Sequence, residues 1–214
     1  MNEKKRYERP IITKHYSGMM NKFGTGPVTT PKPIIDGVAV KELVEKFGSP
    51  LFVISESRLR RNQRNLLRIF KTRYPKVQFA WSYKTNYLDA VCSVFHQEGS
   101  IAEVVSEFEY DKARKLGVKG EDIIFNGPDK SRGALQKAIK EGARIHIDHF
   151  DELYEIIDIT SNEKIKAKVA IRINFDVGVY PLWDRFGFNY ENGEAWQAII
   201  RILANPNLQL VGSR

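Results

Sequence analysis

From Val40 onward the chain alternates short apolar runs with amphipathic stretches of helical period. Val40 to Phe47 reads as a short helix stopped by Gly48. Leu51-Phe52-Val53-Ile54 reads as a buried strand, and Ser57 to Arg73 as a helix with Leu59, Leu66, Leu67 and Phe70 on one face. Six further strands follow at 77–83, 100–105, 123–125, 144–147, 167–173 and 208–211. Between them the spacing predicts helices over 87–98, 107–116, 131–141, 150–160 and 193–204. Leu88, Val91, Cys92 and Phe95 carry the apolar face of the first of these, which places Cys92 in a core. Seven strand candidates, six of them followed by a helix, predict parallel strands joined by right-handed crossovers.

Two architectures share that pattern, an open doubly wound sheet and a (β/α)8 barrel. No G-x-G-x-x-G or G-x-x-x-x-G-K-[ST] follows any strand, which removes the main support for the nucleotide-binding version. The barrel gains from the strand ends: Lys84 and Asn86, Glu103 and Ser106, Asn126, His146 and Asp148, Arg172 and Asn174. In a barrel the C-terminal strand ends meet at one mouth, where the chemistry sits. A barrel has eight strands, so an incomplete barrel is expected over 37–214. Residues 1–36, polar and broken by Pro10, Pro27, Pro31 and Pro33, are expected to form an extended arm with one short strand at most.

Composition narrows the function little. The chain has 214 residues, 42% hydrophobic and 28% charged, with a net charge of +8 and one cysteine. The cations are spread over predicted helix faces and no zinc or RNA-binding motif accompanies them, so solvated helices are expected and no nucleic-acid partner. An anionic small molecule such as a phosphate ester would also suit a basic interior. No apolar run reaches the roughly 18 residues of a membrane span, and Met1 to Pro10 lacks a signal-peptide core. The single cysteine fits a reducing cytoplasm. No metal-ligand pattern occurs.

Lys84 is the foremost candidate for chemistry. It ends the run Val77 to Tyr83 and precedes Thr85-Asn86 and a helix. A lysine at the tip of a core strand is expected to be desolvated, which lowers its pKa and makes it a nucleophile for carbonyl carbon. The other reading is a lysine that snorkels into water. Ser106 and Glu109 form an S-x-x-E capping box at a helix start. Asp148 is expected as the N-cap of the next helix but one, and His146 as a packing residue of its strand.

The blocks Asp36-Gly37-Val38 to Leu43, Gly48-Ser49-Pro50, Ser82-Tyr83-Lys84-Thr85-Asn86, Ala102-Glu103-Val104-Val105-Ser106, Asn126-Gly127-Pro128-Asp129-Lys130, Arg172-Ile173-Asn174 and Arg185-Phe186-Gly187 run in order along the chain. Together they resemble the N-terminal part of the pyridoxal-phosphate-dependent decarboxylases for diaminopimelate, ornithine and arginine, which share the alanine racemase barrel. The diaminopimelate branch is the nearest. The resemblance implies pyridoxal 5′-phosphate as cofactor, joined to Lys84 as a Schiff base. Ser82 would sit beside the ring, Glu103 where the family has an aspartate near the Schiff base, and Arg172 in the cofactor pocket. It also implies decarboxylation of a basic or dibasic amino acid, meso-diaminopimelate to lysine first among them, by a cytoplasmic homodimer. The same blocks suit a racemase or another amino-acid decarboxylase, and a non-catalytic cofactor-binding relative acting through a partner is a further alternative. Trp81-Ser82-Tyr83 departs from the family's usual lead-in to the lysine. The family's later elements, including a phosphate loop and a β-domain that the arm would join, are not among these residues. The chain by itself is therefore expected to be inactive and prone to associate.

Overall fold

The computed structural model describes residues 32–178 and 185–214, and the chain divides into two compact units between Val53 and Ile54. Most of the expected arm, residues 1–31, and residues 179–184 lie outside the described residues.

In the first unit β1 (Ile34–Ile35) and β2 (Val38–Ala39) pair antiparallel around Asp36-Gly37. Both turn residues have positive φ, 48° and 84°, the geometry that a two-residue hairpin turn requires and that Asp-Gly supplies at low steric cost. The expected boundary between arm and barrel falls on this turn. Helix α1 (Val40–Phe47) follows and ends at Gly48 as expected. The strand expected at 51–54 does not form: these residues pair with no other strand, and Phe52 is 98% exposed. A short apolar run becomes a strand only where another strand offers its backbone a ladder, and none of the described residues does so here.

The second unit opens with α2 (Glu56–Lys71), capped by the Ser55 hydroxyl, which accepts from the Arg58 amide at 3.1 Å. Then come β3 (Ala80–Ser82), α3 (Asp89–Gln97), β4 (Ile101–Val104), α4 (Glu107–Lys115), β5 (Ile123–Phe125), α5 (Arg132–Lys140), β6 (Arg144–Ile147), α6 (Phe150–Glu163) and β7 (Ala167–Ile171). A two-residue parallel pair, β8 (Ile173–Asn174) with β9 (Phe188–Asn189), precedes α7 (Glu194–Ala204) and β10 (Leu208–Ser213). Neither β8 nor β9 was expected as a separate strand. β3, β4, β5, β6, β7 and β10 form one parallel sheet in that order. The expected alternation of strand and helix is therefore present, with six strands in the sheet.

One sheet face is apolar. Ala102, Val104, Ile123, Phe125, Ile145, Ile147, Val169 and Ile171 are buried there against Cys92, Tyr110, Leu135, Leu153, Ile156 and Ala198 of the helices. Each large aliphatic side chain so covered contributes on the order of 2 kcal/mol. The expected core placement of Cys92 holds.

The opposite face is polar and concave. Side chains two apart on a strand share a face, so register partners form rows. One row reads Ser82, Glu103, Ile124, Arg144, Lys168, Gln209. Arg214 Nη1, past the end of β10, lies 3.4 Å from Glu103 Oε1 on β4. Those strands are four steps apart in the sheet, roughly 19 Å if it were flat. Two side chains cannot span that distance, so the sheet curls strongly around its polar face, as a barrel wall does.

Candidate functional site

The C-terminal ends of the strands on this concave face carry the candidate residues. Continuing the ladder one residue past β4 and β5 sets Val105, Asn126, His146, Ala170 and Gly212 in one row, directly above the row of Ser82 and Glu103, while Lys84 stands two residues past the end of β3, in the turn that follows it. Ser82 and Glu103, two of the four expected site residues, stand side by side on neighbouring strands and one face, and Lys84 follows in the turn two residues past Ser82.

The loop holding Lys84 is pinned from several sides. The Thr85 amide and hydroxyl both donate to the Ser82 carbonyl, at 3.1 and 2.7 Å, closing a tight turn. The Trp81 indole donates to the Asn86 carbonyl at 3.0 Å, and its ring stacks 3.7 Å from Phe95. Tyr83 is fully buried, with its hydroxyl 2.8 Å from His96 Nε2. The other ring nitrogen of His96 lies 2.8 Å from the Ser100 carbonyl, so Nδ1–H donates there and Nε2 accepts from Tyr83. Trp81 and Tyr83, which flank Ser82 in the lead-in to the lysine, are therefore the anchors of the turn. The Lys84 side chain itself is exposed, which corrects the expected desolvation. The turn carries it beyond the last ladder hydrogen bond, out to the mouth of the concave face.

Glu103 accepts from Asn126 Nδ2 at 2.8 Å as well as from Arg214. Ser106 and Glu109 form the expected capping pair: the Ser106 hydroxyl accepts from the Glu109 amide at 3.3 Å, and Glu109 Oε2 accepts from the Val105 amide at 2.8 Å. Burial pushes the Glu109 carboxyl up, and Glu103 adds to this. The Val105 amide and the positive charge of Lys84 oppose it.

Arg172 stands in a second cluster, at the ends of β6 and β7. Its Nη1 meets Asp148 Oδ1 at 3.0 Å and its guanidinium lies 4.6 Å from the Phe186 ring centre. Asp148 also accepts from the Gly187 amide at 3.3 Å. Asp148 is thus not the expected N-cap. His149 caps α6, its Nδ1 accepting from the Glu152 amide at 3.2 Å while Nε2 donates to the Pro128 carbonyl at 3.1 Å. The cap falls one residue later because the buried Asp148 carboxylate is taken up by Arg172 and the Gly187 amide.

The sequence reading did not single out Lys130 and Glu152 as a pair. Lys130 Nζ, wholly buried, donates to Glu152 Oε1 at 2.6 Å and to the carbonyls of Gly127 and His146 at 2.6 and 3.0 Å. Glu152 Oε2 in turn accepts from the Asp148 amide at 2.9 Å. Burial pushes Lys130 down and Glu152 up, and their mutual attraction opposes both shifts. The available signal was a cap residue followed three positions later by Glu, as at Ser106 and Glu109, with histidine as the cap.

Three buried polar atoms on or beside this face have no hydrogen-bond partner among the described residues: Ser82 Oγ, Asn126 Oδ1 and His146 Nδ1. Burial, and after it the charges of Arg214, Lys130 and Arg144, lower the His146 pKa to about 4, so its ring is neutral near pH 7. No group of three or more His, Cys, Asp or Glu side chains able to hold a metal ion occurs among the described residues, and no described helix is long and apolar enough to cross a membrane.

A family model described as the pyridoxal binding domain of pyridoxal-dependent decarboxylases matches residues 59–214. The diaminopimelate decarboxylase of Methanothermobacter thermautotrophicus is 32% identical over 145 residues, 68% of this chain and 33% of that protein. The L-glutamyl-[BtrI acyl-carrier protein] decarboxylase of Niallia circulans is also 32% identical, over 143 residues, 66% of this chain and 33% of that protein. The crystal structure of diaminopimelate decarboxylase from M. jannaschii in complex with L-lysine superposes with a TM-score of 0.75 at 28% identity, covering 84% of this chain and 44% of that one. The chain thus spans a third to somewhat under half of the length of these relatives. The side chains present suit pyridoxal phosphate: an accessible primary amine at a strand tip, beside buried polar atoms that lack partners.

Proposed function

This chain belongs to the family of pyridoxal-dependent decarboxylases, and on that premise we propose that it is the pyridoxal-binding part of an amino-acid decarboxylase. Lys84 Nζ is the atom that holds the cofactor covalently. The amino acid is meso-diaminopimelate and the product lysine. Most of the similar proteins cited above act, by name, on diaminopimelate, and this supports the substrate. The Niallia circulans relative, 32% identical to this chain, is by name a decarboxylase of another substrate. A homodimer in a reducing cytoplasm is the proposed setting, and the buried, unpaired Cys92 is compatible with it.

Pyridoxal phosphate supplies an electron sink that stabilises the carbanion left when carbon dioxide departs. This chain's residues hold and surround it. The anchored turn fixes Lys84 at the mouth while leaving its amine accessible. Ser82 and Asn126 offer polar atoms that the chain leaves unpaired. Glu103, held by Asn126 and Arg214, places a negative charge beside Ser82, two residues before Lys84, where it favours a positively charged nitrogen. Arg172, fixed by Asp148 and packed on Phe186, presents a positive charge at the same end of the sheet.

The observation that carries this reading is an exposed lysine two residues past Ser82, at the strand ends of a concave polar face that also carries Glu103, Asn126 and His146. The test is to add pyridoxal phosphate to the chain, reduce with borohydride, and map the modified peptide. The label is expected on Lys84. A label on another lysine with Lys84 unmodified would overturn the assignment.

A further inference from the structure

His146 is the one polar residue of the row Val105, Asn126, His146, Ala170, Gly212 to which neither the motif blocks nor the hydrogen-bond network gives a task. Its carbonyl is used by Lys130, but its side chain donates to and accepts from nothing among the described residues. A buried polar atom left without a partner is costly, and such atoms in native folds generally have an explanation. Packing does not provide one here, because the apolar face of β6 is formed by Ile145 and Ile147, and His146 points to the other side. Its neighbours in the row are Ala170 and then Gly212. Neither fills the space above the sheet, and a Cβ placed on Gly212 would meet nothing within 4 Å. The half-buried His146 ring therefore lies on the concave face at whose strand ends the accessible amine of Lys84 stands, with only small neighbours on the side of β7 and β10.

We infer that His146 contacts the molecule held at Lys84, its ring making there the hydrogen bond that the chain leaves unmade. This rests on the reading of Lys84 as the cofactor lysine. The ring is neutral, and the groups facing it are the cations Arg144, Lys130 and Arg214. It therefore serves as a hydrogen-bonding group and not as a counter-charge. Among those cations an anionic or oxygen-rich ligand is the compatible chemistry, and pyridoxal phosphate is both. His146 is thus assigned as a positioning and affinity residue for the cofactor.

The experiment titrates pyridoxal 5′-phosphate into the 214-residue chain, as wild type, His146→Ala and His146→Gln, following cofactor absorbance. In parallel the histidine ring nitrogens of the wild type are followed by NMR. His146→Ala is expected to weaken binding about tenfold, the equivalent of one hydrogen bond, and His146→Gln to stay within about threefold of wild type. The His146 ring signals should shift on binding, and those of His96, on the outer side of the sheet, should not. Should His146→Ala fail to fold, the glutamine variant and the wild-type ring signals still decide. Borohydride labelling at Lys84 with a silent His146 ring and unchanged affinity in the variants would overturn this inference alone. Absence of label at Lys84 would overturn the cofactor assignment and this inference with it.

Discussion

Lys130 Nζ and Glu152 Oε1 stand 2.6 Å apart with both side chains buried, which joins the loop after β5 to the first turn of α6. Glu152 reaches on to the Asp148 amide, and Asp148 holds Arg172. A pair sequestered in this way costs desolvation on both sides, so it adds little net stability over an apolar pair, yet breaking one half leaves a buried charge alone.

Lys130→Met should therefore destabilise the second unit by about 3–5 kcal/mol, and Lys130→Met with Glu152→Leu by clearly less. Urea unfolding of both variants measures this. Equal losses in the single and double variants would show that the Glu152 carboxylate left alone carries no penalty.

The neutral ring of His146 makes a pH prediction. Its folded pKa, about 4, lies below the ordinary 6.5, so the unfolded chain takes up the proton first. The stability it contributes is complete above pH 6.5 and is lost as the pH falls through 4. Between pH 7 and 4.5 wild type should lose roughly 2 kcal/mol more than His146→Gln. Glu98, held at about 2 by Arg64 and Arg60, loses its contribution at lower pH, below this window. Parallel urea curves for the two proteins at both pH values would refute the prediction.

Gly187 has φ 82°, and a Cβ there would stand 2.7 Å from the Arg172 carbonyl oxygen. Gly142 has φ 78° with nothing within 4 Å. Gly142→Ala should cost about 1 kcal/mol, from backbone conformation alone. Gly187→Ala should cost at least about twice that and move Arg172 away from Asp148. Thermal melts of the two variants compare the costs. Equal shifts would mean that the close approach of Gly187 to Arg172 relaxes without penalty.

The order of strands and helices was legible in the sequence because apolar period, caps and glycine stops are local properties of consecutive residues. Val40–Phe47, Ile123–Phe125 and Arg144–Ile147 were read to the residue. The apolar run 51–54 misled, because hydrophobicity records a tendency to be buried and says nothing about whether a pairing strand is available. The motif around Lys84 was legible as a motif, but its exposure was not: the turn that lifts it out depends on Trp81 reaching Asn86 and on Tyr83 reaching His96. Asp148 looked like a cap because caps are short-range, and it became a partner of Arg172 because the fold brings together residues 24 positions apart. The sequence by itself therefore determined the alternating elements, the family blocks and the lysine at a strand tip. Only the tertiary structure decided which polar residues share a row, which charges are buried as pairs, and which atoms are left without partners. Those properties depend on strand register and sheet curvature, which arise between segments distant in the chain.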